Sequence, residues 1–357
     1  MDAPSEAIPL REVTEGQAQM RAAALTAAKE AMAALDAAAP SYVEYLGDSP
    51  ALAAINCTFF DNLALGGRGG RGGTGLQAAH GDDGGNGGSV AGGAVYHADI
   101  NCMAPDCGSM IHCTVSQNYL LPGRGGDGGI GNINGNQGLD GSGSGGGLFL
   151  APTKYLVGNT IIAGDGCLGA AACSAPDVWG KVISLKYNLI GALDGNSSGW
   201  DNAAGAKDRT GMVGNPLDPR LGPLQNNGGE TPTLAPLAGS PAIDAGIEDG
   251  VPLDKVDQAG QPRRVIVVGI SNGGDGSDIG AYELQCSPNV PTLSIARFGN
   301  NLILSWPWPS KCFVLQQTSD LTMPNWMDAQ YPVNVVGNQN QVVIAQPMGN
   351  LFFRFKK

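Results

Sequence analysis

Apolar positions change their period along this chain. Between residues 14 and 39 they fall at helical spacing, with Leu25, Ala28, Met32 and Leu35 on one face and Thr14 with Gln17 fitting a capping box. Pro40 follows the Ala37–Ala39 run and stops the pattern. The spacing predicts one amphipathic helix covering the open end of the next domain, since an exposed strand edge needs such a cover. From about residue 50 the pattern shortens to strand-like segments with an internal repeat. Ile55-Asn56-Cys57-Thr58, with Asn62 beyond it, matches Ile111-His112-Cys113-Thr114 with Asn118, at an offset of 56. A weaker copy is Val157-Gly158-Asn159-Thr160-Ile161-Ile162, and Leu185 to Ile190 is a fourth apolar stretch. Short apolar segments closed by small polar turns are the pattern of stacked β coils, each burying its face only against its neighbours.

Two glycine-rich stretches interrupt the repeat: residues 66–93 hold 14 glycines in 28 positions and residues 123–147 hold 13 in 25. Removing the first stretch from the offset leaves a plausible single coil, so the insertions leave the same edge of consecutive coils and lie side by side. Gly66-Gly67-Arg68, Gly69-Gly70-Arg71 and Gly72-Gly73-Thr74 have period three, and Gly126, Gly129, Gly135, Gly138 and Gly141 keep the phase. That period predicts ordered polyglycine-II strands, at three residues per turn. Collagen is excluded because neither stretch contains proline. Each stretch should fold back, near Leu76–His80 and Asn132–Asn134, giving four short antiparallel strands packed through their glycine faces with weak Cα–H···O contacts.

Composition narrows the class. Glycine supplies 56 of 357 residues, and charged residues only 15% against a typical ~25%. The net charge of −12 argues against a nucleic-acid surface, which needs a basic stripe. No apolar run is long enough for a transmembrane helix. Eight cysteines, none in a CxxC pair, predict disulfides and export rather than zinc or redox sites. Cys102–Cys107 and Cys167–Cys173 read as local clips and Cys286–Cys312 as a tie to the C-terminal module, while Cys57 and Cys113 should stack in the core with a strained bridge possible. The first residues carry no signal-peptide pattern.

Residues 157–284 carry an ordered set of further motifs: Asn159-Thr160-Ile161-Ile162-Ala163-Gly164, Tyr187-Asn188-Leu189-Ile190-Gly191, Asp218-Pro219-Arg220-Leu221-Gly222-Pro223-Leu224, Asn227-Gly228-Gly229, Thr231-Pro232-Thr233, Gly239-Ser240-Pro241-Ala242-Ile243-Asp244-Ala245-Gly246, Asp257-Gln258 and Asp278-Ile279-Gly280-Ala281-Tyr282-Glu283. This resembles the C-terminal part of bacterial right-handed β-helix surface proteins of the choice-of-anchor Q type. The resemblance implies a secreted or surface-held protein, and it implies a fold rather than a reaction. Residues 289–357 resemble the short β-sandwich that ends many such proteins, with Asn301–Pro307, Phe313–Gln316 and Phe352–Arg354 as strands and Gly337-Asn338 as a hairpin turn. The expected fold is therefore all-β: a helical cover over 1–48, a right-handed parallel β-helix over 49–286 with polyglycine-II insertions, and a β-sandwich over 287–357.

The chemistry is sparse. Of the three histidines, His80, His97 and His112, none stands in a nucleophile or metalloprotease motif. Asp244, Asp257, Asp278 and Glu283 are the candidate acids, suited to glycosidic chemistry if paired. The bland alternative is that they satisfy turn amides beside Gly and Pro. Calcium is the cofactor with most support: Gly273-Gly274-Asp275-Gly276-Ser277-Asp278 fits the start of a calcium-binding nonapeptide, and Asp82 and Asp83 with Asn86 form a second oxygen-rich loop. The expected function is non-catalytic adhesion or binding of a glycan or small extracellular ligand. The other class is a calcium-dependent extracellular hydrolase or lyase acting on a glycan, ester or lactone.

Overall fold

The computed structural model describes residues 43–44, 52–75, 80–98, 108–169, 173–195, 199–201, 207–248, 255–266, 273–285, 289–308, 310, 312–337 and 339–357. The helix expected over 14–39, all but His80 of the fold-back expected near Leu76–His80, the clip Cys102–Cys107 and Cys286 lie outside them. Among the described residues the protein is all-β, with no helix.

Up to residue 210 the sheets are mostly parallel, and successive passages of the chain visit them in the same order. The first sheet takes Leu52–Ile55, Gly108–Ile111, Leu148–Gly158, Val178–Ser184 and Trp200–Asp201 side by side. Val95–Ala98 pairs with the start of Leu148–Gly158, and Val43–Glu44 lies antiparallel on the edge. The second takes Thr58–Phe60, Thr114–Ser116, Ile161–Ala163, Leu189–Ile190 and Arg209–Thr210. Leu63–Leu65, Tyr119–Leu121 and Gly166–Cys167 make a third, and Val90–Ala91, Gly143–Ser144 and Cys173–Ser174 a fourth. The offset of 56 read from the sequence is the register itself: Ile55 pairs Ile111 and Thr58 pairs Thr114.

The turn between the first and second sheets explains the repeated motif. Asn56, His112, Asn159 and Tyr187 stand there with φ of 55°, 52°, 49° and 57°, a left-handed corner that Asn and His tolerate better than β-branched residues. The next residue of each motif turns inward, and Cys57 and Cys113 join Ala54, Met110, Val115, Tyr155, Val157 and Ile162 in one buried core. Cys57 and Cys113 are thiols there. Burial, then the neighbouring Cys57, pushes the Cys113 thiol well above its ordinary range. Side chains also link passages at their turns. Cys113 N–H donates to Thr160 Oγ1 (3.2 Å), Thr160 N–H to Asn188 Oδ1 (3.1 Å) and Asn188 N–H to Asp208 Oδ1 (2.8 Å). The buried pair should make both core thiols inert to iodoacetamide in the folded protein and reactive in guanidinium; alkylation of native protein at Cys57 or Cys113 would contradict this packing.

The two glycine-rich stretches make a bundle of four extended segments, bonded through main-chain N–H···O contacts at every third residue. Gly66, Gly69, Gly72 and Gly75 donate to Leu121, Arg124, Asp127 and Ile130 at 2.8–2.9 Å. Gly123, Gly126 and Gly129 donate to Gly88, Gly85 and Asp82 at 2.8–2.9 Å, and Gly135, Gly138 and Gly141 donate back to Gly129, Gly126 and Gly123. Asp82, Gly85 and Gly88 close the ring on Gly73, Gly70 and Gly67. The expectation of four segments side by side holds, with two corrections. The contacts are N–H···O bonds, because glycine lets carbonyl and amide approach directly. The arrangement is also mixed: 66–75 runs parallel to 121–130 and 81–90 parallel to 133–142, since each pair leaves the same edge of successive passages.

The C-terminal residues form two antiparallel sheets around one core. Ser294–Phe298, Asn301–Pro307, Gln339–Ala345 and Asn334–Val336 make one, and Met327–Asp328, Val314–Thr318 and Phe352–Lys356 the other. Leu304, Trp306, Leu315, Val342 and Ile344 fill the space between. Val336 pairs Gln339 across the expected two-residue turn, where Gly337 takes φ of 60°.

Candidate functional site

The four acids singled out from the sequence do come together, but inside the molecule. The described residues between 242 and 284 lie over the outer side of the second sheet, where Ala242, Ala245 and Ile279 pack on Ile161, Ala163 and Leu189. The segment is pinned at a left-handed corner and at the adjoining strand: Gly280 N–H donates to Asn159 O (2.9 Å), Ile247 N–H to Asn159 Oδ1 (2.8 Å) and Ala281 N–H to Thr114 Oγ1 (2.9 Å). Thr58 Oγ1 donates to Gln258 Oε1 at 2.6 Å.

Within it the carboxylates alternate with main-chain amides. Gln261 N–H and Glu283 N–H donate to the two oxygens of Asp257 (2.8 and 2.9 Å). Asp278 N–H donates to Glu283 Oε2 (2.7 Å), and Asp244 N–H and Leu284 N–H donate to the two oxygens of Asp278 (both 2.8 Å). Asp244, Asp278 and Glu283 are fully buried and Asp257 nearly so. Arg263 balances them at 1% exposure, donating to Asn56 Oδ1 (2.6 Å), Gly280 O (3.0 Å) and Val256 O (3.1 Å). Burial lowers its pKa, against the opposing pull of Glu283, Asp257 and Asp278. Burial likewise raises the Asp257 carboxyl, against the amides and Arg263. Asp257, Asp278 and Glu283 each accept main-chain amides beside one guanidinium, and together they fasten a segment. For Asp257, Asp278 and Glu283 the contacts are those of the turn-amide alternative, and Asp278 makes them fully buried beside Ile279, which packs on the sheet.

The oxygens proposed for calcium are also arranged around amides. Ser277 N–H and Glu248 N–H donate to Asp275 (3.0 and 2.8 Å), and Asp83 Oδ1 accepts Asn136 N–H (2.6 Å). Asn86 Oδ1 accepts Leu139 N–H (2.9 Å) one turn along, while Asp82 enters the bundle through its main chain. Among the described residues no three His, Cys, Asp or Glu side chains converge on a metal-sized point.

His112 occupies the corner between Asn56 and Asn159, 2% exposed, with both ring nitrogens lacking a hydrogen-bond partner. Burial, then Arg263, holds its pKa well below the ordinary value. The folded state therefore keeps the ring neutral, and its contribution is complete above the unfolded pKa of about 6.5 and lost as pH falls below it. His112→Asn, which copies the adjacent corners, should flatten the fall in melting temperature between about pH 7 and 5; a slope equal to wild type would contradict this assignment.

Two surface features were not legible from spacing. Tyr96, Phe149 and Trp179 stack face to face on the outside of the first sheet, with centroids 5.1 and 4.4 Å apart and planes within 4°. Their intervals in sequence differ, but they equal those of Val90, Gly143 and Cys173 in the fourth sheet, so the register would have found them. A cavity of about 190 Å³ opens in the C-terminal module beside Gln317, Asp320, Met323, Asn325 and Met327. The Cys167–Cys173 clip is formed, and Cys312 is disulfide-bonded. No helix among the described residues is long and apolar enough to cross a membrane. Compared with known protein families, curated proteins and solved structures, the chain has no match.

Proposed function

We propose that this is a non-catalytic extracellular or cell-surface protein, a right-handed parallel β-helix of the choice-of-anchor Q type with a polyglycine-II bundle and a C-terminal β-sandwich. Its role is adhesion or ligand binding, with a glycan as the first class to test. The observation that carries this reading is the bundle: its period-three bonding packs one glycine of each triplet inward and leaves the side chains between them exposed on a hydrogen-bonded frame. Ile130, Ile133 and Leu139 stand there 56%, 60% and 73% exposed, and Arg68, Arg71 and Arg124 are exposed on the same bundle. Exposed large apolar groups on a rigid frame suit recognition. The same-order visits to successive parallel sheets support the β-helix, and the disulfides support an oxidising compartment. The commitment of Asp257, Asp278 and Glu283 to buried amides supports a non-catalytic role.

The test is a polysaccharide-binding screen with calcium and with chelator, run beside turnover assays on polysaccharides, esters and lactones. Retention should fall about tenfold in Ile130→Ser/Leu139→Ser, as for the loss of one buried apolar contact, and stay unchanged in Asp201→Ala. A chelator-sensitive rate would overturn the reading in favour of a calcium-dependent hydrolase or lyase.

A further inference from the structure

One column of turn residues carries an irregularity that the fold itself does not need. Asn62, Asn118 and Asp165 occupy equivalent turns of successive passages, and each bonds to the next by the same rule. Asn62 gives its main-chain N–H (3.1 Å) and its Nδ2 (2.7 Å) to Asn118 Oδ1. Asn118 gives its N–H (2.7 Å) and its Nδ2 (2.8 Å) to Asp165 Oδ1. Asp165 N–H then donates to Asp177 Oδ1 at 3.0 Å. At this last step the atom standing in the place of the amide nitrogen is Asp165 Oδ2, an acceptor where the column has supplied a donor. That oxygen is buried without a hydrogen-bond partner, in a residue 8% exposed, beside an Asp177 that is 2% exposed. Space is made for it: a Cβ on Gly147 would lie 2.6 Å from Asp165 Oδ2, and one on Gly191 would lie 2.6 Å from Asp177 Oδ2.

We propose that the Asp165–Asp177 pair is a proton-binding site, in which Oδ2 of Asp165 holds a proton through the neutral range and donates it to Asp177, so that the carboxyl copies an asparagine. Asp177 is the charged group facing it; Asn118, Gly164 and Ala192 bring amides and no charge, and Gly147 and Gly191 bring no side chain. Two buried carboxylates at one place cannot both ionise cheaply, and a shared proton resolves the conflict. In agreement, burial and then Asp177 push the Asp165 carboxyl well above its ordinary range. Burial lifts Asp177 to about 7, opposed by the amides of Asp165, Ala192 and Gly164.

The sign follows from linkage. A carboxyl whose folded pKa is raised adds stability that is complete below the unfolded pKa of about 3.9 and is lost as pH rises toward the folded value. Asp165→Asn has the donor permanently. Its folding constant should therefore gain on wild type about tenfold per pH unit, roughly a hundredfold between pH 5 and 7. Unfolding at about pH 8 should release one more proton from wild type than from Asp165→Asn. Infrared spectra of folded wild type at that pH should also contain an un-ionised carboxyl stretch, a reading that needs no variant. Equal proton release, no such stretch, or a pH-independent difference in stability would overturn the proposal. So would a rise in melting temperature with added sodium or calcium alone that Asp165→Asn lacks, since a cation would then replace the proton.

Discussion

Gly129→Val is expected to open the glycine-rich bundle and to raise amide exchange at Gly126, Gly129, Gly135 and Gly138 by about two orders of magnitude. A Cβ at Gly129 would overlap the carbonyl of Gly73 and sit 3.0 Å from Asp82 N. Both obstacles are main chain, so no rotamer change relieves them and the segments must move apart. Overpacking of this kind costs about 1–3 kcal/mol, and each bond lost around it about 1 kcal/mol more. Together these match the expected change in exchange, because local opening is governed by the same free energy. The neighbouring Gly70 is the control. A Cβ there meets nothing within 4 Å, so Gly70→Ala and Arg71→Ala should leave exchange within about threefold of wild type. Amides of Val115 and Ile162, in the stacked sheets, should not respond to Gly129→Val. Bundle amides that exchange at random-coil rates in wild type, or that ignore Gly129→Val, would remove the ordered bundle and the binding surface proposed on it.

Asp278→Ala should loosen the described parts of 242–284. The substitution strands the N–H groups of Asp244 and Leu284, both held at 2.8 Å, at about 1–3 kcal/mol each. It also removes one of the acids that offset the charge of Arg263. Breaking a buried pair from one side costs about 3–5 kcal/mol, and the two effects share atoms, so they do not simply add. The expected result is a fall of several kcal/mol in urea stability and new proteolytic cuts between 242 and 284. Exposed Asp201→Ala should do neither. Arg263→Met should destabilise comparably, because it leaves the acids uncompensated while preserving volume. An Asp278→Ala protein as stable as Asp201→Ala would mean that the carboxylate network does not fasten the segment. The same expectation bears on function: loss of binding or activity in Asp278→Ala reports a damaged scaffold unless stability is measured beside it.

Local information was enough for several elements. The left-handed corner needs Asn or a similarly tolerant residue, so Ile55-Asn56-Cys57-Thr58 and Ile111-His112-Cys113-Thr114 announce both the turn and the register. Period three in the glycines announces the bundle, because a strand with three residues per turn meets each neighbour at every third position. A six-residue interval announces the Cys167–Cys173 clip. These are properties of the chain within a turn or of a repeat against itself, and sequence states them directly. What the acids do was decided elsewhere. Asp278 and Asp165 look alike as letters near glycine, yet one bonds amides within the docked segment and the other stands in an asparagine column facing a second carboxylate. Tyr96, Phe149 and Trp179 become neighbours only through strand register. Protonation, burial and stacking depend on which groups arrive from residues far away in sequence, and only the tertiary structure brings those groups to within a few ångströms.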